Sequence, residues 1–296
     1  MTLPNFIVVG APKAGTTSLY DYLRKHPEIF MPKIKAPRFF IYNGQTNSYY
    51  YPATTLEEYE ALFADAAGEK AIGEATALYF EHPDTARRIH EVVPRTRIIA
   101  ILREPVQRAF SIYHMNLRDS GHNKGLSFIE ALKVDDSIKK MYYDGLKPYY
   151  DLFDRDQIKI LFLEDLERDP KGTLADLFTF LGVDPGFVPD LKVSNPGGVP
   201  KVRLLHDLLI NRRIRLFSRR YLPESLVSFA KDFRSKNLKK HVMTEEERRV
   251  AYGYFEKDIL ATQELTGFDL SRWLQEPRET APVAAPAPKV AAGAKA

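Results

Sequence analysis

A glycine- and lysine-containing loop near the start of the chain has the residue types and spacing of an anion-binding site. The apolar run 6–9 leads into the loop Gly10–Gly15, and a segment that opens with threonines and a serine follows. A strand, a loop and a helix N-terminus in this order direct backbone N–H groups and the positive end of the helix dipole towards one point. The pattern therefore predicts a binding site for a phosphate or a similar anion.

The position of the lysine distinguishes this loop from that of a nucleotide triphosphatase. The spacing from Gly10 to Gly15, followed by Thr17, almost fits the P-loop pattern, but Thr16 stands where that pattern has its lysine. The lysine of this loop is Lys13, in the middle of it. From there it faces the anion from the crown of the loop and can neutralise a leaving phosphate without a metal ion. A simple tight turn between a strand and a helix is the alternative interpretation.

A second predicted strand ends in an arginine that is followed, eight residues later, by a serine. The apolar run 97–102 ends at Arg103, and Pro105 suits the first turn of a helix that carries Ser111 two turns further on. Because open α/β sheets bind ligands at the carboxyl ends of their strands, the arginine fork and the hydroxyl are suited to a phosphate. Taken alone, the segment also fits an ordinary strand–helix junction, but together with the first loop it favours a second phosphate site.

The two motifs together resemble those of sulfotransferases that use 3′-phosphoadenosine 5′-phosphosulfate (PAPS), in particular bacterial, heparan-sulfate-type members. The run 10–19 is similar to their 5′-phosphosulfate loop, and Arg103 and Ser111 match the residues that bind the 3′-phosphate. A late loop, 195–203, is similar to one that closes on the nucleotide, although it also fits a plain surface connection. The resemblance implies donor contacts from Lys13, Ala14, Gly15, Thr16, Thr17, Ser18, Arg103, Ser111, Lys201 and Arg203.

Transfer of a sulfuryl group needs a base that removes the proton of the acceptor hydroxyl. The segment 73–80 resembles the Glu-Lys-Thr-Pro-x-Tyr-Phe segment of heparan-sulfate-type sulfotransferases, and this resemblance implies that Glu74 is the base. Ala75 and Ala77 depart from the lysine and proline of that pattern, so Lys13 is expected to carry more of the charge stabilisation. Capping of the next turn is the alternative role for Glu74.

Other candidate residues surround these motifs. His114, one turn after Ser111, is the main rival for the base, and His122 lies in a glycine-containing loop that could close over the acceptor. Lys35 and Arg38 belong to a segment similar to the Lys-Glu-Pro-x-Phe-Phe segment of bacterial relatives and are expected to face the sulfonate or the acceptor. Since no His, Asp and Glu residues have metal-ligand spacing, no metal is expected.

The alternation of strands and helices predicts an α/β protein with a P-loop-like three-layer fold, in which helices flank a central parallel sheet. Strands are predicted at about 5–10, 70–74, 97–102 and 157–163. Helices are predicted at about 16–25, 55–66, 84–93, 104–118, 126–133, 136–154, 171–181, 202–216 and 244–264. Asp84 and Thr244 are expected to cap two of them. We expect one sulfotransferase domain over residues 1–276, followed by a disordered Pro/Ala-rich tail at 277–296.

The composition is that of a soluble globular protein, with 44% hydrophobic and 28% charged residues. A net charge of +4 gives no reason to expect a nucleic-acid partner. The sequence has no apolar run of membrane-spanning length and no signal-peptide pattern, and its lack of cysteine excludes disulfides and thiolate metal sites. Since animal Golgi members of the family that the chain resembles carry a transmembrane anchor, the resemblance together with the lack of such a run implies a cytoplasmic, bacterial enzyme. The oligomeric state is left undefined.

The most basic part of the chain is the segment 201–242, which is expected to be helical. A solvated helix face is the first interpretation of its arginines, and a lid that contacts an anionic acceptor or a membrane surface is the second. The fold and the donor loops do not encode the acceptor, which is expected to be a hydroxyl of a glycan, a lipid or another small molecule. The basic cluster consists of Arg212, Arg213, Arg215, Arg219 and Arg220.

Two other functional classes fit part of this pattern. A P-loop kinase or NTPase would need magnesium ligands, which the run 158–163 could supply because it reaches Glu164 and Asp165. A non-catalytic nucleotide-binding module would need no base, and the position of Glu74 at the predicted edge of the pocket argues against it. Dependence on magnesium and the effect of changing Glu74 separate these classes from a sulfotransferase.

Overall fold

The computed structural model describes residues 2–42, 44, 53–119, 121–190 and 242–274, together with two short strands at 199–200 and 238–239. The predicted donor contacts Lys201 and Arg203, the basic cluster and the predicted tail lie outside the described residues.

A five-stranded, all-parallel sheet forms the centre of the described part of the chain, with the strand order β2-β3-β1-β4-β5. The strands are β1 (Phe6–Gly10), β2 (Ile29–Phe30), β3 (Ala71–Ala75), β4 (Arg97–Leu102) and β5 (Ile158–Phe162). A separate antiparallel pair consists of β6 (Val199–Pro200) and β7 (Leu238–Lys239). The predicted α/β class with a central parallel sheet is confirmed.

Helices cover both faces of the sheet. They are α1 (Thr16–Leu23), α2 (Leu56–Ala61), α3 (Thr85–Val92), α4 (Pro105–Asp119), α5 (Phe128–Val134), α6 (Tyr142–Leu152), α7 (Leu163–Arg168), α8 (Pro170–Leu181), α9 (Glu245–Tyr252), α10 (Glu256–Thr266) and α11 (Ser271–Leu274). Short 3-10 helices lie at Phe39–Ile41, Ala77–Glu81 and Arg155–Gln157. None of the helices among these described residues is both long and apolar enough to cross a membrane.

Alternate residues of the central strands enter two separate hydrophobic cores, because successive side chains of a strand point to opposite faces. Ile7 and Ile98 belong to the core that contains residues of α3, α6 and α10. Phe6 and Ile99 belong to the core that contains residues of α1 and α8. The sheet is therefore the middle of three layers, and the loops at the carboxyl ends of its strands lie along one edge.

Three local expectations were wrong. The region 136–154 is not one helix, since Asp135 accepts a hydrogen bond from the backbone N–H of Ser137 and forms a turn before α6 begins at residue 142. The region 244–264 divides into α9 and α10, with Phe255 between them. Asp84 makes no side-chain cap on α3, whereas Thr244 caps α9 in a reciprocal capping box as predicted.

Candidate active site

The loop between β1 and α1 has the sharp backbone turns that an anion-binding loop needs. Lys13 has φ 66° and Gly15 has φ 97°, both in the left-handed region. A Cβ on Gly15 would lie 2.8 Å from a methyl carbon of Leu163, so glycine also permits close packing against the end of β5. The backbone N–H of Ala11 donates to the Ile101 carbonyl at 2.8 Å and ties the loop to β4. The amides that open α1 are thereby aimed along the sheet edge.

The two predicted phosphate motifs lie side by side. Arg103 Nη1 donates to the Lys13 carbonyl at 3.4 Å, which joins the end of β4 to the crown of the first loop. Burial lowers the pKa of the Lys13 ammonium, and the nearby cations Arg118 and Arg103 lower it further, against an opposing effect of Asp119. A concentration of positive charge at one point of the sheet edge is suited to an anionic ligand. Arg118, at the end of α4, was not singled out from the sequence.

Tyr142 holds the backbone of Arg103. Its hydroxyl donates to the Arg103 carbonyl at 2.7 Å and accepts from the Arg103 N–H at 3.1 Å. The carboxylate of Glu104 accepts from the N–H groups of Val106 and Gln107, both at 2.9 Å, and so caps the start of α4. The half-buried Ser111 lies on this helix, two turns after its beginning, as the sequence predicts.

Arg108 is a structural residue of the site that the sequence analysis missed. Its side chain is buried, and its guanidinium donates to the Pro12 carbonyl at 3.1 Å, to the Lys140 carbonyl at 2.7 Å and to the Glu81 carboxylate at 3.1 Å. The Arg108 side chain thus fixes the donor loop against α4. Its position one turn before the buried Ile112 was the available signal, since an arginine on the apolar face of a helix needs buried partners.

Glu74 is fully buried at the carboxyl end of β3 and is surrounded by hydroxyl groups. Its carboxylate accepts from Thr76 at 2.7 Å, from Tyr79 at 2.8 Å and from Tyr59 at 3.0 Å. Burial raises the pKa of Glu74 to about 7, although the three hydrogen bonds act in the opposite direction. A pKa in this range is one that suits a general base at neutral pH.

The segment after β2 brings Lys35 to the donor loop and the backbone of Arg38 to the Glu74 cluster. Lys35 Nζ donates to Thr17 Oγ1 at 2.5 Å, and burial lowers the pKa of this lysine to about 8. The N–H of Arg38 donates to Thr76 Oγ1 at 3.5 Å, and Arg38 has φ 61°. Sequence reasoning named both residues but did not indicate that Lys35 reaches α1.

The two candidate histidines contact an aromatic ring of α4 and a carboxylate at the end of α5. The His114 ring packs edge-on against Phe110, with centroids 4.3 Å apart. His122 Nε2 lies 3.4 Å from the Asp135 carboxylate, and its side chain is 62% exposed. His114 thus packs within α4, and His122 lies beside Asp135, the C-cap residue of α5. Within the described ranges, no three His, Cys, Asp or Glu residues are grouped so that they could hold a metal ion.

A family model described as "Sulfotransferase domain" matches residues 3–191, a range that contains all five strands of the sheet and both phosphate motifs. The chain belongs to the sulfotransferase family. The crystal structure of a sulfotransferase from Alicyclobacillus acidocaldarius is 28% identical, with a TM-score of 0.69 over 93% of this chain and 100% of that one. This likeness confirms the P-loop-like α/β fold of the sulfotransferases.

Other sulfotransferases match shorter parts of the chain. Membrane-associated sulfotransferase kil1 of Dictyostelium discoideum is 39% identical over 129 residues, which cover 42% of this chain and 25% of that protein. Carbohydrate sulfotransferase 15 of Homo sapiens is 29% identical over 248 residues, which cover 62% of this chain and 44% of that protein. The chain thus spans less than half the length of either relative.

Proposed function

We propose that this member of the sulfotransferase family transfers the sulfuryl group of PAPS to a hydroxyl acceptor. The observation that supports the proposal is the contact between the Arg103 guanidinium and the Lys13 carbonyl, which joins the two predicted phosphate-binding motifs at one sheet edge. A nucleotide with phosphates on both its 3′ and 5′ positions matches two such motifs, with Arg103 and Ser111 on the 3′ side. Membership of the family favours sulfuryl over phosphoryl transfer.

In the proposed reaction, the acceptor oxygen attacks sulfur in line, and the bond between sulfur and the 5′-phosphate oxygen breaks. The electron pair of that bond stays on the departing phosphate. The Lys13 ammonium and the N–H groups of 15–18 stabilise this charge because they are positioned for it before the reaction begins. The proton of the acceptor passes to Glu74. Metal ions have no part in this sequence of steps.

Because Glu74 is buried, the proton of the acceptor hydroxyl reaches it through another group. Each hydroxyl in contact with the carboxylate, including that of Thr76, already donates a hydrogen bond to it. Thr76, Tyr59 and Tyr79 are as buried as Glu74 in this structure, so the proposed route requires one of their hydroxyls to become accessible when the acceptor binds. That hydroxyl then gives its proton to Glu74 and takes the proton of the acceptor. Glu74→Gln should bind the donor normally but lose about a hundredfold or more in turnover. Loss of donor binding in this variant would instead indicate that Glu74 only supports the fold.

The proposed acceptor is a hydroxyl of a carbohydrate, a lipid or another small molecule. The name of the human relative, a carbohydrate sulfotransferase, supports a sugar, and the name of the Dictyostelium relative supports contact with a membrane. We include a peripheral membrane contact of the basic segment 201–242 in the proposal. Labelled PAPS and a panel of glycan, lipid and phenol alcohols, read by mass spectrometry, would identify the acceptor.

The donor is tested by ligand-dependent melting. The product 3′,5′-diphosphoadenosine should raise the melting temperature far more than 5′-AMP does, because only the former fills both phosphate sites. Arg103→Ala should erase most of this difference, since a charge-assisted hydrogen bond contributes about 1.5–3 kcal/mol. Arg87→Ala is the matched control, because Arg87 pairs with Glu91 on an exposed face of α3. Equal stabilisation by ATP, AMP and the diphosphate would overturn the donor assignment.

Metal dependence separates the proposal from phosphoryl transfer. Turnover should survive EDTA, because the chain itself supplies the cations of the proposed donor site. Loss of activity in EDTA and its recovery with magnesium would favour a P-loop kinase or NTPase.

A further inference from the structure

The segment between β2 and the first 3-10 helix is tied to both neighbouring elements. The Tyr20 hydroxyl of α1 donates to the Pro32 carbonyl at 2.6 Å. The Ala36 N–H donates to the Ala75 carbonyl at the end of β3 at 3.1 Å. Lys35 lies between these two attachments, so its backbone is held in one place beside the start of α1.

The Lys35 side chain extends over α1 to the donor loop. Its ammonium donates to Thr17 Oγ1 at 2.5 Å and lies 5.9 Å from the centre of the Tyr20 ring. Asp21 of α1 acts on this ammonium and raises its pKa, whereas burial, the larger effect, lowers it. A half-buried cation is costly for the protein, and a bound anion beside it would offset that cost.

The contact between Lys35 and Thr17 bears on the donor site because of the position of Thr17, the second residue of α1. Thr17 stands two residues after Gly15, where the P-loop pattern has the serine or threonine whose hydroxyl binds Mg²⁺. In the present structure the same hydroxyl accepts a hydrogen bond from the Lys35 ammonium. A cation supplied by the chain thus adjoins the hydroxyl to which a nucleotide triphosphatase binds its metal.

We propose that Lys35 is the second cation of the donor site, bound to Thr17 in place of a magnesium ion. Together with Lys13 it stabilises the negative charge that grows on the 5′-phosphate as the sulfuryl group leaves. This inference rests on the proposed function, because it assumes that the loop binds PAPS. Of the two expectations for Lys35, contact with the sulfonate or with the acceptor, the proposal adopts the donor side and adds the contact with Thr17.

The charge of Lys35 depends on pH in a range where this can be measured. The pKa of about 8, lowered by burial, means that the lysine of the free enzyme loses its proton above that pH. The titratable groups that face it from α1 are Asp21, which raises the pKa of Lys35, and Tyr20, whose ring centre lies 5.9 Å from the ammonium. Arginine at position 35 would keep its charge throughout.

The test compares Lys35→Met with Lys33→Met. Lys33 is the matched control because its side chain is 87% exposed and pairs with Asp65. Lys35→Met should lower kcat about a hundredfold, the scale for losing one charge-stabilising group, while the control keeps wild-type kcat. Lys35→Arg should restore most of the loss and move the alkaline limb of kcat/KM from about pH 8 to above pH 9, because kcat/KM reports the free enzyme.

Three results have distinct meanings. Equal kcat in Lys35→Met and Lys33→Met, or an alkaline limb that stays in place in Lys35→Arg, would overturn the role of Lys35. If Lys35→Met does not fold, the comparison of pH profiles between wild type and Lys35→Arg still decides the question. Failure of the wild type to bind PAPS in calorimetry would overturn the proposed function itself, and that measurement needs no acceptor.

Discussion

Glu74 is a carboxyl group without solvent contact that accepts three hydrogen bonds from hydroxyl groups. Burial disfavours its ionised form, whereas the hydroxyl donors favour it, and the balance holds its pKa at about 7. Small changes in the donors therefore alter the protonation state of Glu74 at physiological pH. The contacts with Tyr59 and Tyr79 thus set the basicity of the carboxylate as well as its position.

The first prediction concerns the pH profile of wild-type kcat/KM. Activity should rise through about pH 7, because Glu74 must lose its proton to act as a base and remains protonated below that pH. It should fall through about pH 8, because Lys35 must keep its proton and loses it above that pH. A narrow bell between the two limbs is the expected result.

Tyr59→Phe isolates the acidic limb. Removal of one hydrogen bond to the ionised carboxylate should raise the pKa of Glu74, so the rising limb should move to higher pH by about 0.5 to 1 unit. The alkaline limb should not move. An acidic limb that is the same in wild type and Tyr59→Phe would exclude Glu74 as its source.

The site residues differ in how far the sequence could predict them. The donor loop and Arg103 follow strong apolar runs, so their place at the sheet edge could be predicted from local pattern alone. The contact of Lys35 with Thr17 joins residues 18 positions apart across an irregular segment. Neither a helical nor a strand pattern in the sequence predicts such a contact. The cluster around Glu74 likewise requires Tyr59, which lies on α2 rather than near β3 in the sequence. The burial of Glu74 could therefore not be inferred from the residues of β3 alone.

At the scale of elements, one arginine joins the donor loop, α4 and the segment before α3. Arg108 lies on α4 and contacts the Pro12 carbonyl and the Glu81 carboxylate, and its guanidinium carbon lies 4.8 Å from the centre of the Tyr142 ring. These three partners come from separate parts of the chain. The crown of the loop is consequently braced from behind, so that its amides hold their direction before a ligand arrives.

The second prediction is that Arg108→Met lowers the free energy of unfolding by about 3–5 kcal/mol, the usual effect of removing one partner of a buried ion pair. The Glu81 carboxylate and two carbonyl groups would lose their donor. Urea denaturation gives the measurement. Arg87→Met should cost less than about 0.5 kcal/mol, because its pair with Glu91 on α3 is more than half exposed. Similar losses in the two variants would contradict the bracing role.

Elements with a strong local signal agree best with prediction. The bounds of β1, β3, β4 and β5 lie within about one residue of the predicted ones, because each is an apolar run that the sheet buries. β2 has only two residues, Ile29–Phe30, which is too short for a strand pattern in the sequence. Its strand conformation follows from its parallel pairing with β3. α7 has six residues directly after β5, too few for a helical period to appear in the sequence.

At the scale of the whole molecule, the last described helices return to the centre of the fold. Asp258 of α10 accepts hydrogen bonds from the N–H groups of Tyr142 and Tyr143 at 2.8 and 2.9 Å. The Trp273 ring stacks on Tyr142, with centroids 5.8 Å apart, and packs edge-on against Phe162. Through Tyr142, which holds Arg103, the end of the described chain supports the predicted 3′-phosphate site.

The third prediction is that Trp273→Ala lowers the free energy of unfolding by about 3–5 kcal/mol, because it leaves a cavity between two aromatic rings. It should also weaken binding of 3′,5′-diphosphoadenosine under conditions where the protein stays folded, since Tyr142 loses the ring that supports it. Val242→Ala, at a position that is 79% exposed, should change neither quantity. Calorimetric titration and urea denaturation supply the two readouts, and unchanged affinity in folded Trp273→Ala would contradict the link to Arg103.

The path from Trp273 through Tyr142 to Arg103 also has a consequence for the order in which the protein is made. The loop Gly10–Gly15 is synthesised before the strand that ends at Arg103, yet the ring that supports Tyr142 is synthesised about 130 residues after Tyr142 itself. A nascent chain that still holds Trp273 inside the ribosome carries both phosphate motifs without their final support. Full support of the predicted 3′-phosphate site therefore requires synthesis to have passed Trp273.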